Sequence, residues 1–238
     1  MHRLNWGDGE SPRKTRRGRW TRAEIDRLKD MYGLRAEGAI ARELGRSVAS
    51  VRKMAEELFR DARRHGPWTA HEVPNLKRYL GATATEVIAR ILGRELGEVR
   101  HQIFELGRLQ QNGRWRRDEV MKLCRLYGTR SDEDLVAIFG RNLESIQRLA
   151  KKFCLAKDKA FVKRLAGEGA TRMPRWSAPE LDLLREMYPR APNLDIATRL
   201  NRSVKSVVSK AHHLELKKEP ERLVEMGREN VSLRYRRG

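Results

Sequence analysis

The side chains of this sequence that could do chemistry are cations, and they exceed what the chain itself can neutralise. Lys and Arg number 52 against 32 Asp and Glu, a net charge of +20 over 238 residues. An excess of that size costs self-repulsion, which a polyanionic partner relieves. A guanidinium pairs bidentately with guanine, and a Gln amide pairs with adenine. Arg52, Arg100, Arg148 and Gln147 are candidates for such contacts, with Ser50, Lys53, His101, Lys151, Lys205, Ser206, Ser209 and Lys210 beside them. A second group is the basic run 11–19, whose Arg13, Lys14, Arg16, Arg17 and Arg19 suit phosphates or a minor groove. A third is Arg46, Arg94, Arg141 and Arg202, which either touch phosphate or hold a helix end or a helix-one glutamate.

Other chemistries lack their residues. No Gly-rich phosphate loop follows a strand, and no carboxylate cluster suits a nuclease or recombinase. Adjacent His212 and His213 would diverge by about 100° on a helix, with no acidic partner evident. Cys124 and Cys154 have neither a CxxC nor a Cys/His spacing and read as buried structural thiols. No catalytic group, metal site or cofactor is therefore expected. With 39% hydrophobic, 6% aromatic and 35% charged residues, one large core is not expected either. No stretch approaches about 18 uncharged apolar residues, so no membrane span is expected. The first thirty residues carry no apolar signal core, which speaks against secretion.

The elements that would position these cations come from an internal repeat. Trp20, Trp68, Trp115 and Trp176 each open the same 39-residue register without gaps. Glu24, Glu72, Glu119 and Glu180 follow four residues after each Trp, and Leu28, Leu76, Leu123 and Leu184 eight after. Ile40, Ile88, Leu135 and Ile196 come later, then Gly45, Gly93, Gly140 and Asn201, each followed by one of the third-group arginines. Val51, Val99, Ile146 and Val207 near the end complete the apolar frame.

Each position has a local reason. Thr21, Thr69 and Ser177 with the Glu three residues on form capping boxes. Arg116 replaces the cap in the third copy and should weaken that helix start by about 1 kcal/mol. Pro74 should deform helix one of the second copy. Helix two, at about Glu37–Leu44 and its equivalents, ends at residue types that accept the left-handed conformation. Ser47, Asn142 and Ser203 then cap a third helix, with Glu95 a poor substitute in copy two. With 51, 55 and 58 buried, 50, 52 and 53 face outward, and the equivalent outward sets differ between copies while the cores agree.

This pattern resembles tandem Myb/SANT-type repeats, and the segments 40–51 and 196–207 are similar to the bacterial Myb-like variety. The resemblance implies an all-α chain of four tandem three-helix, helix-turn-helix units at 20–60, 67–108, 114–155 and 175–218. Around them lie a basic arm (1–19), a linker with a short helix at 157–165 (156–174), and a C-terminal helix at 219–226 with a basic tail (219–238). Only the first of the three evenly spaced tryptophans of animal and plant Myb repeats is kept here. Arg17-Gly18-Arg19 also bears a faint likeness to an AT-hook core. Trp spacings of 48, 47 and 61 suggest a near-rigid array of three repeats with the fourth on a looser tether. The function implied is sequence-specific binding of double-stranded DNA as a transcriptional regulator, on a nucleoid, or in a nucleus if the source is eukaryotic. The alternatives are a non-specific architectural protein and a SANT-type protein-interaction module. Repeat two and the C-terminal tail are the segments left for a protein partner or self-association.

Overall fold

The computed structural model describes residues 15–60, 64–108, 111, 113–167 and 175–235, with side chains described as far as 229. Among the described residues the chain is all helical. Helices α1 (Arg22–Met31), α2 (Glu37–Leu44) and α3 (Val48–Leu58) are followed by α4 (Glu72–Tyr79), α5 (Thr85–Leu92) and α6 (Leu96–Arg108). Then come α7 (Arg117–Leu126), which runs into a 3-10 turn at Tyr127–Thr129, α8 (Asp132–Phe139), α9 (Leu143–Lys152) and α10 (Lys159–Ala166). The chain closes with α11 (Ala178–Met187), α12 (Asn193–Arg199), α13 (Val204–His213) and α14 (Pro220–Tyr235).

The apolar register sets where the cores form. Leu28, Ile40 and Val51 are fully buried, and Leu76, Ile88, Val99, Leu123, Leu135, Ile146, Leu184, Ile196 and Val207 at the equivalent positions are at most 1% exposed. Truncating any of these leucines to Ala would remove roughly 2–5 kcal/mol. The turn between second and third helices relies on positive φ: Gly45, Gly93 and Gly140 lie at 65°, 63° and 59°, and Asn201 at 50°. Ser47, Asn142 and Ser203 accept the backbone N–H of Ser50, Ser145 and Ser206, as their types predict.

Two helix starts depart from the common plan. Arg116 keeps only half of a capping box: its N–H donates to Glu119 at 2.8 Å, but a guanidinium has no acceptor to return. Pro74 alters the start of its helix, as expected of a proline there. The helix starts two residues later than its counterparts, at Glu72, so that Pro74 falls in the first turn, where no intrahelical N–H bond is needed. Thr69 still accepts from the Glu72 N–H and donates its own to the Glu72 carboxylate.

The chain forms two compact units, Met1–Leu106 and Gly107–Gly238. In the first, Val87 and Ile91 of α5 pack against the core of α1–α3. Gly33 permits that approach, since a Cβ there would stand 2.6 Å from Ile91 Cδ1. In the second, the end of α9 meets α12 and α13. Val204 N–H donates to the Cys154 carbonyl at 3.2 Å, Cys154 Sγ lies 3.6 Å from Thr198 Oγ1, and Lys205 pairs with Asp158. The expectation of a loose tether before 175–218 is therefore corrected: spacing measures linker length, and these contacts bridge it. The cysteines also differ from expectation. Cys124 is exposed and Cys154 half-buried, and both line one apolar cavity of about 320 Å³.

The expected helices at 157–165 and 219–226 are α10 and α14, and they occupy equivalent places. Lys157 Nζ donates to the Arg130 carbonyl (2.7 Å) over the Tyr127 ring; Lys218 Nζ donates to the Ala191 carbonyl (2.6 Å) over Tyr188. Asp158 N–H meets the Gly128 carbonyl as Glu219 N–H meets that of Pro189. Phe161 and Arg222 are buried at the same position, Arg222 in ion pairs with Glu225 and Glu229. The internal repeat thus extends into a fourth helix, and α14 continues well past the expected end at 226.

Candidate nucleic-acid interface

The turn arginines set the frame on which any interface is built. Arg46 Nε and Nη2 donate to the Glu24 carboxylate at 3.1 and 3.0 Å, and Arg94 to Glu72 at 3.0 and 2.9 Å. Arg141 pairs with Glu119 at 3.1 Å and Arg202 with Glu180 at 2.8 Å. Each guanidinium also lies over its repeat's Trp ring, 4.4–5.0 Å from the centroid. The remaining donors reach carbonyls just before the Trp: Arg46 to Gly18 and Arg19, Arg94 to Gly66 and Pro67, Arg141 to Gly113 and Arg114, Arg202 to Arg175. A planar five-donor fork suits this task as an ammonium would not. Of the two roles open to Arg46, Arg94, Arg141 and Arg202, the structure places them in the internal one, committed to helix-one carboxylates rather than phosphate. The sequence signal for the Trp contact was the fixed 26-residue spacing of Trp and Arg, which periodicity along one helix does not detect.

The carbonyl partners explain a second recurrence. Gly18, Gly66 and Gly113 stand two residues before Trp with φ of 104°, 94° and 116°, a region open mainly to glycine. Their turned carbonyls accept from the arginine at 2.6–2.8 Å. The N–H groups of Arg16, Arg64 and Gln111 in turn donate to Gly45, Gly93 and Gly140. Arg17-Gly18-Arg19 is thus the lead-in shared by several repeats, a structural reason for the glycine that replaces the AT-hook likeness.

These ion pairs have a pH signature. The arginine hydrogen bonds, reinforced by those from Thr21, Thr69 and Ser177, hold Glu24, Glu72 and Glu180 at about 2, against the opposing effect of burial. A depressed carboxylate contributes stability in full above its ordinary pKa and loses it as pH falls through the folded value. Acid titration followed by circular dichroism is therefore expected to show stability declining from about pH 4.5 toward 2. Stability unchanged over that interval would contradict the pairing.

With the turn arginines turned inward, the candidate contacts left at the surface are those of the lead-in and the third helices. The side chains of Arg16, Arg17 and Arg19 are exposed, while the backbone of Arg16 and Arg19 is bonded to Gly45 and Arg46 in the turn between α2 and α3; Arg13 and Lys14 lie outside the described residues. Lys53, His101, Lys151 and Ser209 are exposed, and Ser50, Ser206 and Lys210 half-buried. Four of the candidate base contacts are held by carboxylates: Arg52 by Glu37, Arg100 by Glu86, Arg148 by Glu144 and Lys205 by Asp158. Gln147 Nε2 reaches Asp132 at 3.5 Å. Between the start of α10 and α13 lies a groove of about 720 Å³, with Lys157, Lys159, Lys205, Lys210, Ser209 and His213 along it.

Among the described residues, no three His, Cys, Asp or Glu side chains come together as metal ligands. No described helix is long and apolar enough to cross a membrane. Comparison with protein-family models, curated proteins and solved structures finds no match for the chain.

Proposed function

We propose that the chain is a sequence-specific double-stranded DNA-binding protein, a transcriptional regulator acting on the nucleoid, or in the nucleus of a eukaryote. In this reading α1–α3, α4–α6, α7–α9 and α11–α13 are four Myb-like helix-turn-helix units, and α3, α6, α9 and α13 enter successive stretches of the major groove. Arg16, Arg17, Arg19 and Lys159 neutralise phosphate, and the outward side chains of the third helices read bases. The observation that carries the reading is a contrast within one chain. The buried positions of the repeats agree, the turn arginines are committed to helix-one carboxylates, and the exposed faces of the third helices differ from copy to copy, net basic in α9 and α13 and mixed in sign in α3 and α6.

The reading has a direct electrostatic test. Titrating the chain onto a labelled duplex at about 0.05–0.3 M salt should give a straight line of log K against log salt, with slope steeper than about −4. A flat line would remove the phosphate backbone as partner.

A further inference from the structure

Three of the four repeats share a contact between their second and third helices. The position thirty-two residues after Trp, on the outward face of the third helix, is Arg52, Arg100, Gln147 or Val208. Arg52 Nε and Nη2 both donate to Glu37 Oε2, at 3.2 and 2.7 Å. Arg100 Nη2 donates to Glu86 at 3.1 Å, and Gln147 Nε2 reaches Asp132 at 3.5 Å. Glu37, Glu86 and Asp132 all stand in the first turn of α2, α5 and α8. Part of that placement is the ordinary preference of carboxylates for helix N-termini. The dipole asks for no partner on the next helix, however, and an exposed pair adds little stability. A repeated donor opposite the carboxylate calls for another cause. Repeat four departs, with Asn193 and Val208 in these places and Asp158 of the preceding repeat holding Lys205 instead.

The geometry at Arg52 supplies that cause. A guanidinium carries five N–H donors, and Glu37 engages it along the Nε–Nη2 side only. The terminal Nη1–Nη2 edge remains, which is the edge that spans guanine O6 and N7. The side chain is 59% exposed, so this edge is open to a partner. The carboxylate also repels phosphate, which disfavours the competing position of Arg52 on the DNA backbone.

Building on the DNA-binding reading above, we propose that Glu37, Glu86 and Asp132 are positioning residues for base recognition. They aim Arg52 and Arg100 at guanine and Gln147 at adenine, and keep these side chains off the phosphates. Repeats one to three therefore read through the residue thirty-two after Trp, whereas repeat four, with Val208 there, contributes through Lys205 and its groove.

The test uses the full chain with Glu37→Gln, Arg52→Ala and the double variant. Each is titrated by fluorescence anisotropy against the wild type's preferred duplex, its single-base-pair variants and a random duplex. Arg52→Ala should erase preference at one base pair, reducing discrimination there by about tenfold. Glu37→Gln should weaken that same preference several-fold, raise affinity for the random duplex, and change nothing further in the Arg52→Ala background. Because Arg52 is exposed and Glu37 only half-buried at the surface, the unfolding temperatures should stay close together. If Glu37→Gln leaves the preference intact, or acts equally with and without Arg52, Glu37 is a surface charge and the proposal fails while the DNA-binding reading stands. A wild-type chain that binds duplexes with no base preference would overturn both.

Discussion

Replacing Arg94 by Ala is expected to cost about 3–5 kcal/mol, enough to leave α4–α6 unfolded at room temperature. The side chains of Arg94 and Glu72 are only 2% and 4% exposed, and the guanidinium also serves the Gly66 and Pro67 carbonyls and the Trp68 ring. Truncation strands a buried carboxylate and two turned carbonyls at once. Because Val87 and Ile91 of α5 also cover the first core, the damage should spread to α1–α3. Arg100→Ala is the matched control: its pair with Glu86 is exposed, and the cost should be about 1 kcal/mol or less. Urea unfolding followed by circular dichroism measures both. Equal destabilisation of the two variants would mean that the Arg–Glu–Trp cluster is not what closes each repeat.

The second large effect concerns affinity. Replacing Arg16, Arg17 and Arg19 together by Ala should reduce the slope of log K against log salt by about 2–3, at roughly 0.9 for each phosphate that is no longer neutralised. Stability should hardly change, since Arg16 and Arg19 dock through backbone groups and all three side chains are exposed. Deleting the whole basic arm is a poorer test, because residues 16, 18 and 19 supply carbonyls to Arg46. A slope equal to the wild type's would take this segment out of the interface.

How much of this was legible in the sequence depended on the range of the interaction. Caps and left-handed turns are local, so Thr21, Ser47 and Gly45 announced their roles, and fully buried residues such as Leu28, Ile40 and Val51 followed from the apolar register. The inward role of Arg46 was one of two readings, because nothing local tells a guanidinium on Glu24 from one on phosphate. Gly18, Gly66 and Gly113 were visible as residues but not as a device, since their value lies in a carbonyl aimed 28 residues ahead. The second-to-third-helix pairs were missed for the same reason: Glu37 and Arg52 are 15 residues apart and meet only through the turn. The equivalence of α10 and α14 was hidden because Phe161 and Arg222 fill one buried place with opposite chemistry.

The central claim is that the third helices read sequence. Its most direct test is selection of bound duplexes from a random DNA pool at about 0.15 M salt, where non-specific binding is already weakened. Enrichment of one long motif is expected, with sub-blocks that disappear one at a time when Arg52, Arg100 or Gln147 is replaced by Ala. Tight binding with no enriched sequence would contradict the claim and leave a protein that coats DNA without reading it.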